Sequence, residues 1–206
     1  MRIFYIIYIK REPLKSYINA IRLLCNPTEK NSAHLTVRGP YKRRYGEVEL
    51  KALNDRIKGD YIHVFGSDCF LTPTQNTVFL DCESSRLRDV WHKPDFGYRP
   101  HITLYDGASR RIAESLTRML APRRFDFSFQ AEGLSQLIVK TGQRNLILRC
   151  DTNPSVIAQA LGRPLDLGSL DSIPESERLK LAERVVEELS RLSEPLQQKR
   201  LVAAAM

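Results

Sequence analysis

"NSAHLTVRGP", residues 31–40, decides how this chain is read. Its centre, His34-Leu35-Thr36-Val37, alternates polar and apolar residues, the pattern of a strand with one face buried. Further on, "YRPHITLYDG" (98–107) repeats it as His101-Ile102-Thr103-Leu104. The chain has only four histidines in 206 residues, so two His-x-Thr pairs, each with apolar neighbours, mark a placed feature. Residues two apart in a strand point to the same side. His34, Thr36 and Arg38 are therefore expected on one face, with Leu35 and Val37 on the other. Arg99, His101, Thr103 and Tyr105 are expected to share a face opposite Ile102 and Leu104.

The surrounding elements fall into two runs of the same order. In the first, "IFYIIYIK" (3–10) reads as a strand from its β-branched and aromatic content. "PLKSYINAIRLLC" (13–25) has helical spacing with Pro13 in the first turn. The motif strand 33–38 is expected to end at Gly39-Pro40. A short helix (47–58) and a strand bulged at Gly66 (61–71) follow. In the second run, 77–83 is a strand, 84–93 a helix up to Pro94, 98–107 the motif strand and 109–120 a helix. One or two strands over 124–139 complete it, and "NLILRC" (145–150) adds another. This order suggests two pseudo-symmetric lobes, each supplying one motif strand.

Residues 1–150 carry this repeat, and residues 151–206 form a helical extension outside it. In "DSIPESERLKLAERVVEELSRL" (171–192), Ser172 and Glu175 stand at capping-box spacing and Pro174 suits a first turn. Leu179, Ala182, Val185, Val186, Leu189 and Leu192 form one apolar stripe. That stripe packs on the body of the chain or pairs with a second copy as a homodimer. "KRLVAAAM" (199–206) reads as a frayed end.

Hydrophobic content of 42% and charged content of 27% are those of an ordinary soluble globular protein. A net charge of +8 attracts anions, which makes RNA or a nucleotide a candidate partner, beside the plainer reading of a basic surface. Cys25, Cys69, Cys82 and Cys150 are widely spaced, give no zinc grouping and read as buried small apolar residues in the reducing compartment of a cytoplasmic protein. The opening apolar run is too short to cross a membrane, so it is a buried strand and no membrane partner is expected. Asp106 and Asp126 do not stand at metal-ligand spacing, and no metal or cofactor is expected.

Two imidazoles and two hydroxyls in one cleft suit phosphodiester chemistry. With an unperturbed pKa near 6.5, one histidine can serve as neutral base while the other serves as acid. Threonine hydroxyls can donate to non-bridging phosphate oxygens and stabilise charge growing there. His63 serves as an internal control, with Phe65 where the threonine would stand. In "RGPYKRRY" (38–45), Arg38, Tyr41 and Lys42 mix cations with aromatics suited to phosphate and base contacts. Tyr105 is a candidate to stack on a base.

Two H-[apolar]-T-[apolar] strands, "HLTV" and "PHITL", resemble the signature of the two-histidine (2H) phosphoesterase superfamily. This superfamily includes 2′,3′-cyclic phosphodiesterases and 2′-5′ RNA ligase-like proteins. The resemblance covers about residues 1–150 in element order and is sharp only at the motifs. It implies an α+β fold with a bilobal antiparallel sheet around a central cleft, helices outside, and metal-independent hydrolysis of 2′,3′-cyclic or 2′-5′ phosphodiesters. His34 and Thr36 match the first motif, His101 and Thr103 the second. By analogy the second histidine activates water and the first protonates the leaving ribose oxygen. Arg38 before Gly39-Pro40 departs from the usual small or apolar residue followed by glycine. Two alternatives stand beside hydrolysis. One is ligation of 2′,3′-cyclic phosphate ends; the other is a non-catalytic RNA- or nucleotide-binding module.

Overall fold

A computed structural model of the chain describes residues 1–29, 31–93, 97–139 and 151–193. The first run of elements is β1 (Arg2–Tyr8), α1 (Leu14–Cys25), β2 (His34–Tyr41), α2 (Glu47–Ile57) and β3 (Tyr61–Leu71). The second is β4 (Asn76–Glu83), α3 (Leu87–Val90), β5 (His101–Gly107), α4 (Arg110–Leu120), β6 (Phe127–Gln130) and β7 (Ser135–Val139). Beyond them lie α5 (Pro154–Leu161), a 3-10 turn at Leu170–Ser172 and α6 (Glu175–Arg191). The protein is thus α+β, as the sequence implies.

The strands form one seven-stranded antiparallel sheet in the order β6-β3-β4-β5-β2-β1-β7. The two motif strands, β5 and β2, are neighbours in its middle. Each sequence run sends its last strand across: β3 pairs with β4 and β6, and β7 pairs with β1. Neither run closes a sheet by itself.

Leu35 and Ile102 lie directly opposite each other, both fully buried in the main core. That core sits beneath the helices: α1 packs on β5, α4 on β3 and β4, and α6 lies against α1, α4 and α5. Burying an Ile or Leu side chain contributes about 1.5–3 kcal/mol, so this pair fixes which face of the two strands turns inward. Helix α1 is buried nearly all round and carries a polar stripe, Ser16, Asn19 and Arg22. Each of the three has partners. Ser16 accepts from the Asn153 N–H at 2.8 Å. Asn19 accepts from the Ala33 N–H at 2.6 Å and donates to the Asp151 carbonyl at 2.8 Å. Arg22 donates to the Thr103 carbonyl and pairs with Glu29 at 3.3 Å. Helix α1 therefore holds the start of β2 and the middle of β5 from behind.

Several elements differ from the sequence reading. β2 runs through Gly39-Pro40 to Tyr41. Gly39 makes this possible, because it takes φ +104° with its Cα so close to β1 that a Cβ would lie 2.5 Å from the Ile3 carbonyl. The bulge in β3 falls at Phe65 rather than Gly66, since Val64 pairs with Cys82 and Gly66 with Asp81. The helix expected over 84–93 is only the single turn α3. His92 instead donates its N–H to the Val37 carbonyl (3.0 Å) and accepts from the Gly39 N–H (3.1 Å). A backbone pairing with β2 outweighs a weak helical pattern just before Pro94. Helix α5 carries its own signals, with the Asn153 side chain accepting from the Ser155 N–H at 3.0 Å, Pro154 first and Gly162 left-handed after it. Helix α6 starts at Glu175 with Pro174 at its N-cap, so the Ser172 capping box does not form; Ser172 lies in the preceding 3-10 turn and donates its hydroxyl to the Ser169 carbonyl at 2.6 Å. Ala182, Val185, Val186 and Leu189 are buried in the chain's own core. The stripe thus packs on the body of the chain, the first of its two readings, which leaves little of it for a second copy, and the extension shares a core with residues 1–139. The strand expected over 145–150 and the end at 199–206 lie outside the described residues. Among the described residues no helix is long and apolar enough to cross a membrane.

Candidate active site

The Leu35–Ile102 pairing places the motifs. Opposed residues of an antiparallel pair share a face, so His34, Thr36, His101 and Thr103 all emerge on the side away from α1. Continuing the register sets His34 towards Thr103 and Thr36 towards His101. All four line one cavity of about 260 Å³, together with Phe4, Gly39, Pro40, Phe70, Thr77, Lys93 and Asp106.

Both imidazoles are held in the same way. His34 Nδ1 lies 2.7 Å from the Ser32 carbonyl, and His101 Nδ1 lies 2.8 Å from the Arg99 carbonyl. A carbonyl only accepts, so each Nδ1 carries the hydrogen and each neutral ring keeps its lone pair on Nε2. In each motif the partner is the residue two positions earlier, so the strand itself sets the tautomer. Burial, reinforced by the Arg22 cation, pushes the His34 pKa down to about 4. Burial, reinforced by Lys93 and Arg99, brings His101 to about 4 as well. The sequence suggests one neutral and one charged histidine; in the free protein at neutral pH both are neutral, because burial and the neighbouring cations disfavour the imidazolium.

Alternation fails just beyond each threonine, and for the same reason. Thr36 pairs with Ile6 but Arg38 with Tyr5, leaving Val37 as an extra residue in β2. Thr103 pairs with Phe79 but Tyr105 with Val78, leaving Leu104 extra in β5. A bulge re-aims the side chains that follow it. Arg38 therefore points off the cavity, donating to the Val90 carbonyl at 2.8 Å and the Tyr45 hydroxyl at 3.2 Å. Tyr105 is buried, with its hydroxyl accepting from the Ser109 N–H at 3.1 Å. Asp106 takes the cavity position instead and accepts from Thr77 Oγ1 at 2.9 Å and from Gln75 Nε2 at 2.8 Å.

The remaining sequence candidates also stand outside the cavity. Tyr41 stacks on His92, with ring centroids 5.6 Å apart, and its hydroxyl meets both Nδ1 and the carbonyl of that residue. Lys42 is exposed just after Tyr41, where β2 ends. His63 faces a different hollow of about 390 Å³ and is held by carboxylates, Asp126 at 3.0 Å and Glu83 at 3.4 Å. Its setting differs from that of the motif histidines, as the missing threonine suggests. Lys93, Phe4, Phe70, Thr77 and Asp106 are cavity residues without a signal in the sequence. Lys93 sits in an apparent helix end, and the others depend on which strands become neighbours. Among the described residues no three His, Cys, Asp or Glu side chains are placed to hold a metal ion. No protein-family model matches the chain, and no curated protein matches it.

Proposed function

We propose that the chain is a phosphodiesterase of the two-histidine type, hydrolysing 2′,3′-cyclic or 2′-5′ phosphodiester bonds in RNA ends or small nucleotides. The observation that carries this reading is the central register. One strand pair, β2 with β5, brings two His-x-Thr motifs to one cavity, each with its Nδ1 satisfied by its own backbone and its Nε2 left to react. The strand order supports a two-lobed reading. About the β5–β2 pair it mirrors β4 onto β1 and β3 onto β7, with β6 added at one edge.

One Nε2 takes a proton from water as it attacks phosphorus, and the other gives a proton to the leaving ribose oxygen. Thr36 and Thr103 donate to the non-bridging oxygens. Neither imidazole holds the acid proton in the free protein at neutral pH. A bound phosphodiester anion stabilises an adjacent imidazolium and raises its pKa, so substrate binding itself arms the acid. The entering and leaving groups sit on opposite sides of the phosphorus, which is why two histidines are used rather than one.

The test is hydrolysis, in EDTA, of 2′,3′-cyclic nucleotides, cyclic-phosphate-ended RNA, 2′-5′ oligoadenylate and cyclic dinucleotides. Each acid or base role is worth about 10²–10⁴ in rate, so His34→Ala and His101→Ala should each lose that much while His63→Ala retains turnover. Absence of turnover on every member, with RNA still bound, would sink the enzymatic reading in favour of a binding module.

A further inference from the structure

We propose that Lys93 binds the substrate's phosphate, touching a non-bridging oxygen on the His101 side of the cavity. Arg38, Tyr41 and His92 act as positioning residues that hold its segment in place. This rests on the reading of the cavity as a phosphodiester site. Lys93 lines the cavity with all four motif residues, and among the described lining residues it carries the only full positive charge. Its field already reaches His101. Arg99 and Arg38, the nearest other cations along the two motif strands, do not line the cavity. Arg99 is held by Asp68 and by Asp81 at 3.7 Å, and Arg38 by the Val90 carbonyl. Burial lowers the Lys93 pKa from its ordinary value.

The segment that presents Lys93 is built for the purpose. His92 is bonded through its N–H to Val37 and through its carbonyl to Gly39, one and three residues beyond Thr36 in β2. Arg38 holds the Val90 carbonyl, Tyr41 holds His92, and the Trp91 indole N–H donates to the Gly97 carbonyl at 2.8 Å. The Lys93 ammonium lies 5.4 Å from the centre of the Trp91 ring. The two residues that sequence places beside the first motif, Arg38 and Tyr41, thus reach the cavity through this segment. With both imidazoles neutral before binding, a fixed ammonium is what draws the phosphate in. It also offsets charge building on phosphorus oxygens in the transition state.

Inorganic phosphate is the probe, titrated into the full chain at low salt with the His101 and His34 imidazole NMR signals as readout. Wild type should bind with shifts at both rings. Lys93→Gln should weaken binding about 10–100-fold, Lys93→Arg should stay within about threefold, and Lys51→Gln on α2 should change nothing. The His101 midpoint should also rise in Lys93→Gln, because one of the cations facing it is gone while Arg99, Asp106 and His34 remain. Arg38→Met should weaken phosphate alone and add little in the Lys93→Gln background, the mark of a shared route. Lys93→Gln binding within about twofold of wild type overturns the assignment, as does a wild type whose His101 ignores phosphate. Turnover plays no part in this readout. A protein that binds phosphate through Lys93 but hydrolyses nothing keeps this assignment and loses the enzymatic one.

Discussion

At the residue scale the two motif threonines are neutral donors beside neutral imidazoles. Thr36→Val and Thr103→Val should each lower kcat by about 10²–10³, the usual cost of one oxyanion donor, with circular dichroism unchanged. A change confined to KM would assign these hydroxyls to ground-state binding. The histidines themselves carry a pH signature. In the unfolded chain each takes its proton near 6.5; folded, each refuses it until about 4. Between those values the unfolded state binds more protons, so stability falls as pH drops through this window, by up to ~3 kcal/mol per imidazole. Urea melts at pH 7 and pH 4 for wild type and a His34→Gln, His101→Gln variant check this, because the double variant should lose most of the slope.

At the element scale α1 acts as the clamp behind the site. Arg22 is buried, reaches the Thr103 carbonyl and faces His34 electrostatically. Arg22→Met should cost about 3 kcal/mol, since it breaks a buried ion pair with Glu29 and the hydrogen bond to the Thr103 carbonyl, and should raise the His34 titration midpoint. A stability loss with no movement of His34 would separate the clamp from the site. The strands show how far alternation reaches. His34, Leu35 and Thr36 are read correctly from the period of two, and so are His101, Ile102 and Thr103. The residue after each threonine breaks it, because Val37 and Leu104 are apolar residues that a regular strand would bury just as well. Nothing in "LTVRG" or "ITLYD" announces a bulge, since the bulge is defined by the partner strand.

At the scale of the whole molecule the helices gather on one face of the sheet and leave the other to the cavity. Helix α6 completes the covered side. Leu189→Ala should cost about 2–5 kcal/mol and leave the sedimentation coefficient unchanged; a change in oligomeric state would restore the homodimer expectation. The order of elements over residues 1–139, the core-facing Leu35 and Ile102 and the four motif residues were legible in the sequence, because local periodicity and turn chemistry carry them, whereas helix α5 was not read there. Tertiary structure alone decided the rest. It set β5 beside β2 in a register that points four side chains into one space. It exchanged β3 and β7 between the two runs, bulged both motif strands, and turned residues 91–93 from an expected helix into the support for Lys93. Each of these depends on contacts between residues tens of positions apart, and no local pattern records which distant backbone will be the neighbour.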